Sequence, residues 1–286
     1  MILPSFILKS KKNLVLTESG LDSLSHCHDK EKFKKYPYLV EYHYNDRGFR
    51  DSNWPCSNDE LVDSIWCFGD SFTVGMGARI DHIWPNILQE KINRRCINIS
   101  MDGASNNWIS RKAVELIETV QPKVIIIMWS FSSRRETNLL EDDENRRLHL
   151  TVSDTDGNYV DDVINFKNSI NIVEAAAAKT STKIIHSAIT PEFFTIFGVQ
   201  EYYKNIKGVD WPSTYTGIKN LNQLVTIELK NSNLYEMFQT YDKLENEITE
   251  MTKKFVKVTQ VDFSRDSYHY GINTALKIGN DFSNLI

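Results

Sequence analysis

The sequence predicts an α/β fold, a mostly parallel sheet with helices on both faces, from three observations. Its most apolar segments are short: Ile65-Trp66-Cys67-Phe68, Cys96 to Ser100, and Val124 to Trp129. Between them lie segments with helical spacing, clearest at Trp108, Ile109, Ala113, Leu116, Ile117 and Val120. Short continuous apolar runs alternating with amphipathic helices mark strands buried on both faces. The chain's 286 residues, 41% hydrophobic and 25% charged, suit one large domain, or one domain with an insertion.

Residues 1–60 are polar and aromatic, with turn signals at Asn45-Asp46-Arg47-Gly48 and Asn53-Trp54-Pro55. They read as an N-terminal extension packing on a core of residues 61–286. Met1 to Leu8 is apolar but has no charged segment before it, so it reads as a strand or packing arm rather than a signal peptide. Asp63 to Phe68 is the first core strand. Ile83 to Lys91 is a helix, with Pro85 tolerated in its first turn. Cys96 to Ser100 is the second strand and Asn106 to Thr119 the next helix, stopped by Pro122. Val124 to Trp129 is the strongest strand. Glu141 to Asp162 is charged and turn-rich, a loop or small excursion. Ile164 to Lys179 reads as a helix and Lys183 to Ile189 as a strand. Residues 191–238 are aromatic without a clean period and read as an insertion. Tyr241 to Phe255 reads as a helix, Val258 to Asp262 as the last strand, and Asn273 to Phe282 as the closing helix.

Charge and cysteine usage exclude several classes. The formal net charge is −5 with a pI near 5.8, so no basic excess points to nucleic acid or to a membrane surface. The longest apolar run is too short to span a bilayer. Four cysteines (Cys27, Cys56, Cys67, Cys96) show no framework spacing, and reduced thiols in a cytoplasmic setting are expected. His26-Cys27-His28-Asp29 packs metal-ligand residue types together, but no second pair complements it, and neither metal nor cofactor is expected.

Two motifs carry chemistry. Gly69-Asp70-Ser71-Phe72 places a serine where a buried strand ends, and ligands gather outside the carboxyl ends of such strands. Asp70 can fix the turn by accepting backbone N–H groups. An ordinary strand-to-loop turn accounts for the tetrapeptide alone as well. Near the other end, Asp266-Ser267-Tyr268-His269 offers a carboxylate and an imidazole on one loop. With Ser71 they could form a Ser/His/Asp set. Cys67 lies inside an apolar strand and reads as a buried inert thiol, and His186 as a satisfied core histidine.

Gly69-Asp70-Ser71-Phe72-Thr73-Val74-Gly75 resembles the first block of the SGNH (GDSL-type) hydrolase superfamily. Asn98 to Asn106 resembles its second block, with Gly103 at the position of an oxyanion donor. Asp266-Ser267-Tyr268-His269 resembles its last block. The resemblance runs from about Asn45 to the C-terminus, without the middle insertion. It implies a three-layer α/β/α sandwich of flavodoxin-like type. It also implies Ser71 as nucleophile, His269 as general base and Asp266 as its orienting carboxylate. The oxyanion hole would use the N–H groups of Ser71 and Gly103.

The third block departs from the family. After Trp129 the chain reads Ser130-Phe131-Ser132-Ser133-Arg134-Arg135-Glu136, and Phe131 stands where the family has an asparagine donor. Ser130, Ser132 or Asn106 could supply the third donor. Arg134 could bring charge, or form a structural ion pair with Glu136. The function implied is a serine esterase acting on short-chain or acetyl esters, with a small-molecule or glycan ester as substrate. The alternatives are an O-acyltransferase on the same residues, or a catalytically weak binding or structural module such as a virion component.

Overall fold

The computed structural model describes residues 4, 6–132, 134–136, 150–151, 159–189, 243 and 246–286. The expected insertion, with its aromatic residues, and most of the charged loop before residue 159 lie outside them.

The core is a four-stranded parallel sheet of β1 (Ile65–Gly69), β2 (Cys96–Ser100), β3 (Val124–Trp129) and β4 (Lys183–Ala188), in the order β2-β1-β3-β4. β1 lies at the centre, with Ile65 level with both Cys96 and Val124. Alternate side chains point to opposite faces. Trp66, Phe68, Ile125, Ile127 and Trp129 pack with residues of Asn106–Thr119 and Tyr159–Ala177. Ile65, Cys67, Ile126 and Met128 pack with residues of Trp84–Ile92 and Ile272–Ser283. Helices therefore cover both faces, and the three layers follow from the continuous apolar runs of the two central strands, β1 and β3. In chain order, the labelled helices are α1 (Ser71–Val74), α2 (Trp84–Ile92), α3 (Asn106–Thr119), α4 (Tyr159–Ala177) and α5 (Ile272–Ser283). Among the described residues, no helix is long and apolar enough to cross a membrane.

Two expectations about elements change, and one open alternative is decided. Val258 to Asp262 is not a strand: the chain meets β4 in a single bridge, Ser187 with Val256. It then peels away because other groups take its backbone N–H groups. Thr274 Oγ1 accepts from Val261 N (3.0 Å) and Asp262 N (3.1 Å), and the Asp262 carboxylate accepts from Asn273 N and Thr274 N at the start of α5. Before β1, residues Asn58–Asp63 form a helix, where the sequence reading began the strand at Asp63. Ser57 accepts from Glu60 N and donates to the Glu60 carboxylate, so Ser57-Asn58-Asp59-Glu60 is a legible capping signal. Of the two readings of the N-terminal arm, strand or packing arm, its described part takes the second: Phe6 and Leu8 are buried in the core beside α3, and Leu8 N donates to Arg47 O.

The N-terminal segment also covers the unpaired edge of β2. The Asp51 carboxylate accepts from Asn98 N (3.2 Å) and pairs with Arg95 (2.6 Å). Burial pushes the Asp51 pKa up to about 6, against the opposing pull of Arg95 and the Asn98 N–H. The folded form then holds this proton more tightly than the unfolded chain. The group's favourable contribution is complete below about pH 4 and is lost as pH rises through about 6. Asp51→Asn should therefore lose on the order of 2 kcal/mol less, relative to wild type, at pH 7.5 than at pH 4.5. Paired denaturant melts at the two pH values would show it; a pH-independent difference would contradict it.

Candidate active site

The serine turn is built at the carboxyl end of β1. Asp70 caps α1 by accepting from Phe72 N (3.0 Å), which puts Ser71 at the first helical position, only 3% exposed. Gly69 is needed for closeness: a Cβ there would lie 2.1 Å from Thr73 Oγ1. The far end of this single turn is held by Arg50, which is fully buried. Its Nη1 donates to Val74 O (3.2 Å) and Gly75 O (2.5 Å), and its Nη2 to Ala78 O and Glu41 O (both 2.8 Å). A buried cation thus satisfies carbonyls that a helix C-terminus leaves open.

The second motif folds as a tight loop between Phe263 and Tyr270, which bridge each other. Asp266 Oδ1 accepts from Ser264 Oγ (2.8 Å), Tyr268 N (2.9 Å) and His269 N (3.0 Å). Its Oδ2 lies 2.5 Å from His269 Nδ1. The spacing of three closes this ring, with Ser267 in the left-handed region at φ 63°. Both groups are buried, Asp266 at 0% and His269 at 2% exposure. Burial pushes the Asp266 pKa up, but the His269 hydrogen bond and charge and the two backbone N–H groups outweigh it. The carboxyl sits below its ordinary value. An ionised Asp266 accepts a hydrogen bond from His269 Nδ1–H, which leaves Nε2 as the nitrogen that can act as a base.

Phe72, the residue after the serine, joins the two motifs. Its ring centroid lies 4.7 Å from His269, 4.7 Å from Tyr270 and 5.5 Å from Tyr268. Arg265 N donates to Gly77 O (3.0 Å), just beyond the serine turn. Ser71 Oγ and His269 Nε2 make no hydrogen bond among the described residues. Catalytic contacts are often long until substrate binds.

Residues that the sequence reading left in a packing extension hold these two loops together. Asp22, fully buried, accepts from Tyr42 Oη (2.5 Å) and from Arg265 Nε (2.8 Å) and Nη2 (2.5 Å). Tyr42 Oη in turn accepts from Gly77 N (2.8 Å). Burial and the Asp22 charge push the Tyr42 phenol well above its ordinary value, so it stays protonated and donates to Asp22. One buried network thus spans the extension, the serine loop and the histidine loop. The His28 ring stacks on Tyr268 (centroids 5.4 Å apart), and the His28 backbone N–H donates to the Asp266 carbonyl oxygen (3.2 Å). Among the described residues, no group of three or more His, Cys, Asp and Glu side chains could hold a metal, His26 to Asp29 included.

Gly103 sits in the left-handed region at φ 72°, a conformation that favours glycine. The N–H groups of Ser71 and Gly103 have no acceptor among the described residues. Ser105 caps α3 by accepting from Trp108 N. Of the three proposed third donors, two are engaged elsewhere. Asn106 Nδ2 donates to Ser130 O (3.2 Å) and Phe131 O (3.0 Å), and its Oδ1 accepts from Ser130 N. Ser130 Oγ donates to Asp70 Oδ2 (2.7 Å). Ser132 is buried and has no hydrogen-bond partner among the described residues.

Arg134 does not pair with Glu136. Its Nη1 lies 2.7 Å from Asp70 Oδ2, while Glu136 pairs with Arg111 (2.6 Å). Both carboxylates are buried, Glu136 at 5% and Asp70 at 0% side-chain exposure, so each needs a charged partner: Arg111 on α3 takes Glu136 and Arg134 takes Asp70.

His186 is enclosed between the Trp129 and Phe255 rings. It accepts from Trp129 Nε1 (3.0 Å) through Nδ1 and meets Glu174 through Nε2 (2.8 Å), the satisfied core role expected of it. Burial raises the Cys67 thiol pKa well above its ordinary value, leaving it inert. All four cysteines are free thiols.

No family model and no curated protein matches the chain. Among solved structures, it is similar to a lipolytic protein of the G-D-S-L family from Desulfitobacterium hafniense DCB-2. That match has a TM-score of 0.44 at 11% identity and covers 78% of this chain and 99% of that one. It is also similar to the psychrotrophic esterase EstA from Pseudoalteromonas sp. (TM-score 0.41, 13% identity, 78% and 95% covered). A family 3 carbohydrate esterase from Clostridium thermocellum gives a TM-score of 0.40 at 13% identity, with 78% and 94% covered. The layered parallel sheet stands on its own strand order, and the chemistry on the residues at its carboxyl edge.

Proposed function

We propose that this protein is a serine esterase that cleaves short-chain acyl esters through Ser71, His269 and Asp266. The observation that carries this reading is the buried Asp266–His269 pair, packed through Phe72 against the turn that holds Ser71. His269 Nε2 takes the Ser71 proton as Oγ bonds to the ester carbonyl carbon, and the carbonyl oxygen becomes an oxyanion. The N–H groups of Ser71 and Gly103 donate to it. When the intermediate collapses, the C–O bond to the alcohol breaks, and His269 returns the proton to the leaving oxygen. Water, deprotonated by His269, then releases the acid from Ser71. Asp266 keeps the imidazole in the productive tautomer and stabilises its charged form.

The rings of Phe72, Phe131, Tyr268 and Tyr270 crowd this region and favour a small acyl group. Exposed His28, stacked on Tyr268, offers a face for a sugar ring on the alcohol side. Hydrolysis of p-nitrophenyl acetate and butyrate, followed by acetylated sugars, tests the reading. Turnover should fall with acyl length and vanish in Ser71→Ala. Equal background in wild type and variant would instead indicate a silent binding module.

A further inference from the structure

We propose that Arg134 is the third oxyanion donor of this site, an inference that rests on the esterase reading and replaces the asparagine that Phe131 displaces. Four observations point to it. Arg134 is bound to the residue that precedes the nucleophile: its Nη1 lies 2.7 Å from Asp70 Oδ2 and 3.1 Å from Ser130 Oγ. Its backbone is fixed in the short pairing of Arg134–Arg135 with Leu150–Thr151. Its guanidinium lies 4.8 Å over the ring of Phe131, which itself meets Phe72 edge-on at 6.2 Å. Its charge also reaches the histidine loop, where it pulls the Tyr268 phenol down against the burial that raises it. The guanidinium therefore touches the residue before Ser71 and the ring that packs on Phe72.

The donors needed are available. A guanidinium has five N–H groups, and only Nη1 is engaged among the described residues. Nε and Nη2 remain, on a side chain 14% exposed. Asn106 and Ser130 have committed their hydrogens to Phe131 and Asp70, and nothing ties Ser132 to the serine turn. Asp70 and the Phe131 ring hold the guanidinium plane before substrate arrives, so little reorganisation is needed as negative charge grows on the carbonyl oxygen. The bond changes are those already given: Oγ bonds to carbon, the carbonyl electron pair moves to oxygen, and Arg134 donates to that oxygen without giving up its proton.

The test compares Arg134→Met with wild type on p-nitrophenyl acetate and with a trifluoromethyl ketone of matching chain length, whose Ser71 adduct carries an oxyanion. Loss of one such donor costs about 10²–10³ in rate. Expected are a kcat lowered by about that factor, a KM within about threefold, and a ketone Ki raised about 10²-fold. Arg111→Met, which loosens the same segment at Glu136, should leave the Ki near wild type. If Arg134→Met does not fold, Arg134→Lys keeps the charge beside Asp70 but lacks the fork, and should still raise the Ki at least tenfold. An unchanged Ki beside a lowered kcat would overturn the donor role and leave Arg134 as a brace for Asp70. Unchanged kcat and Ki would overturn both roles. Failure of the wild type to turn over ester or bind ketone would instead remove the esterase reading beneath the proposal.

Discussion

Alanine at His269 is expected to lower kcat on p-nitrophenyl acetate by on the order of 10⁵–10⁶, as is alanine at Ser71. The two losses should not add, because nucleophile and base act in one proton transfer, and the double variant should match either single one. Asp266→Asn should cost about 10⁴. An amide in that place can donate to Nδ1, which would put the imidazole proton on Nε2, where the base must act. The buried ring around Asp266 makes this the more telling variant. Its Oδ1 contacts to Ser264 Oγ, Tyr268 N and His269 N can survive in an amide, so the loop should stay folded while the tautomer changes. Steady-state kinetics with folding checked by circular dichroism would show it. Retention of a tenth or more of wild-type kcat in Asp266→Asn would mean that the carboxylate does not orient the base.

Alanine at Asp22 is expected to cost about 3–5 kcal/mol of stability, the usual penalty for removing one partner of a buried ion pair. Arg265 would be left without its carboxylate and Tyr42 without its acceptor, in a region sealed from water. For a chain of this size, the melting temperature should fall by about 6–10 °C. Activity should fall further than stability requires, because Asp22 links Gly77 and Arg265 through Tyr42 and so sets the distance between the serine and histidine loops. Adding Arg265→Met to Asp22→Ala should recover part of the stability, since the stranded charge is then gone. Thermal melts of the single and double variants decide this. A shift under 2 °C for Asp22→Ala would show that the network is dispensable.

The contrast between these two sites explains what could be read in the chain. Ser71 and the Asp266–His269 loop were legible because each depends on neighbours within a few residues: a strand end, a capping carboxylate, a spacing of three. The sheet was legible because its central strands are continuous apolar runs, Ile65 to Phe68 and Val124 to Trp129, a pattern set by burial on both faces. Ser57 to Glu60 is legible too, as a capping box ahead of the apolar run. Val258 to Asp262 misled because its apolar residues resemble a strand, whereas Thr274 and Asp262 redirect its backbone. The partners of Arg134 and Asp22 were not legible. Asp70 lies 64 residues before Arg134, and Asp22 lies 243 before Arg265, and only the folded chain brings these charges together. Glu136 is the nearer acid to Arg134 in sequence, but Arg111 on α3 takes it, and Arg134 pairs with Asp70.

Labelling with a fluorophosphonate, followed by peptide mass spectrometry, tests the central claim most directly, because it needs no knowledge of the true substrate. One phosphonyl adduct on the peptide containing Ser71 is expected. Ser71→Ala should lose it, and His269→Ala should form it at least 10³-fold more slowly. An unlabelled wild type, an adduct on another residue, or labelling of His269→Ala at the wild-type rate would contradict an activated serine at the end of β1.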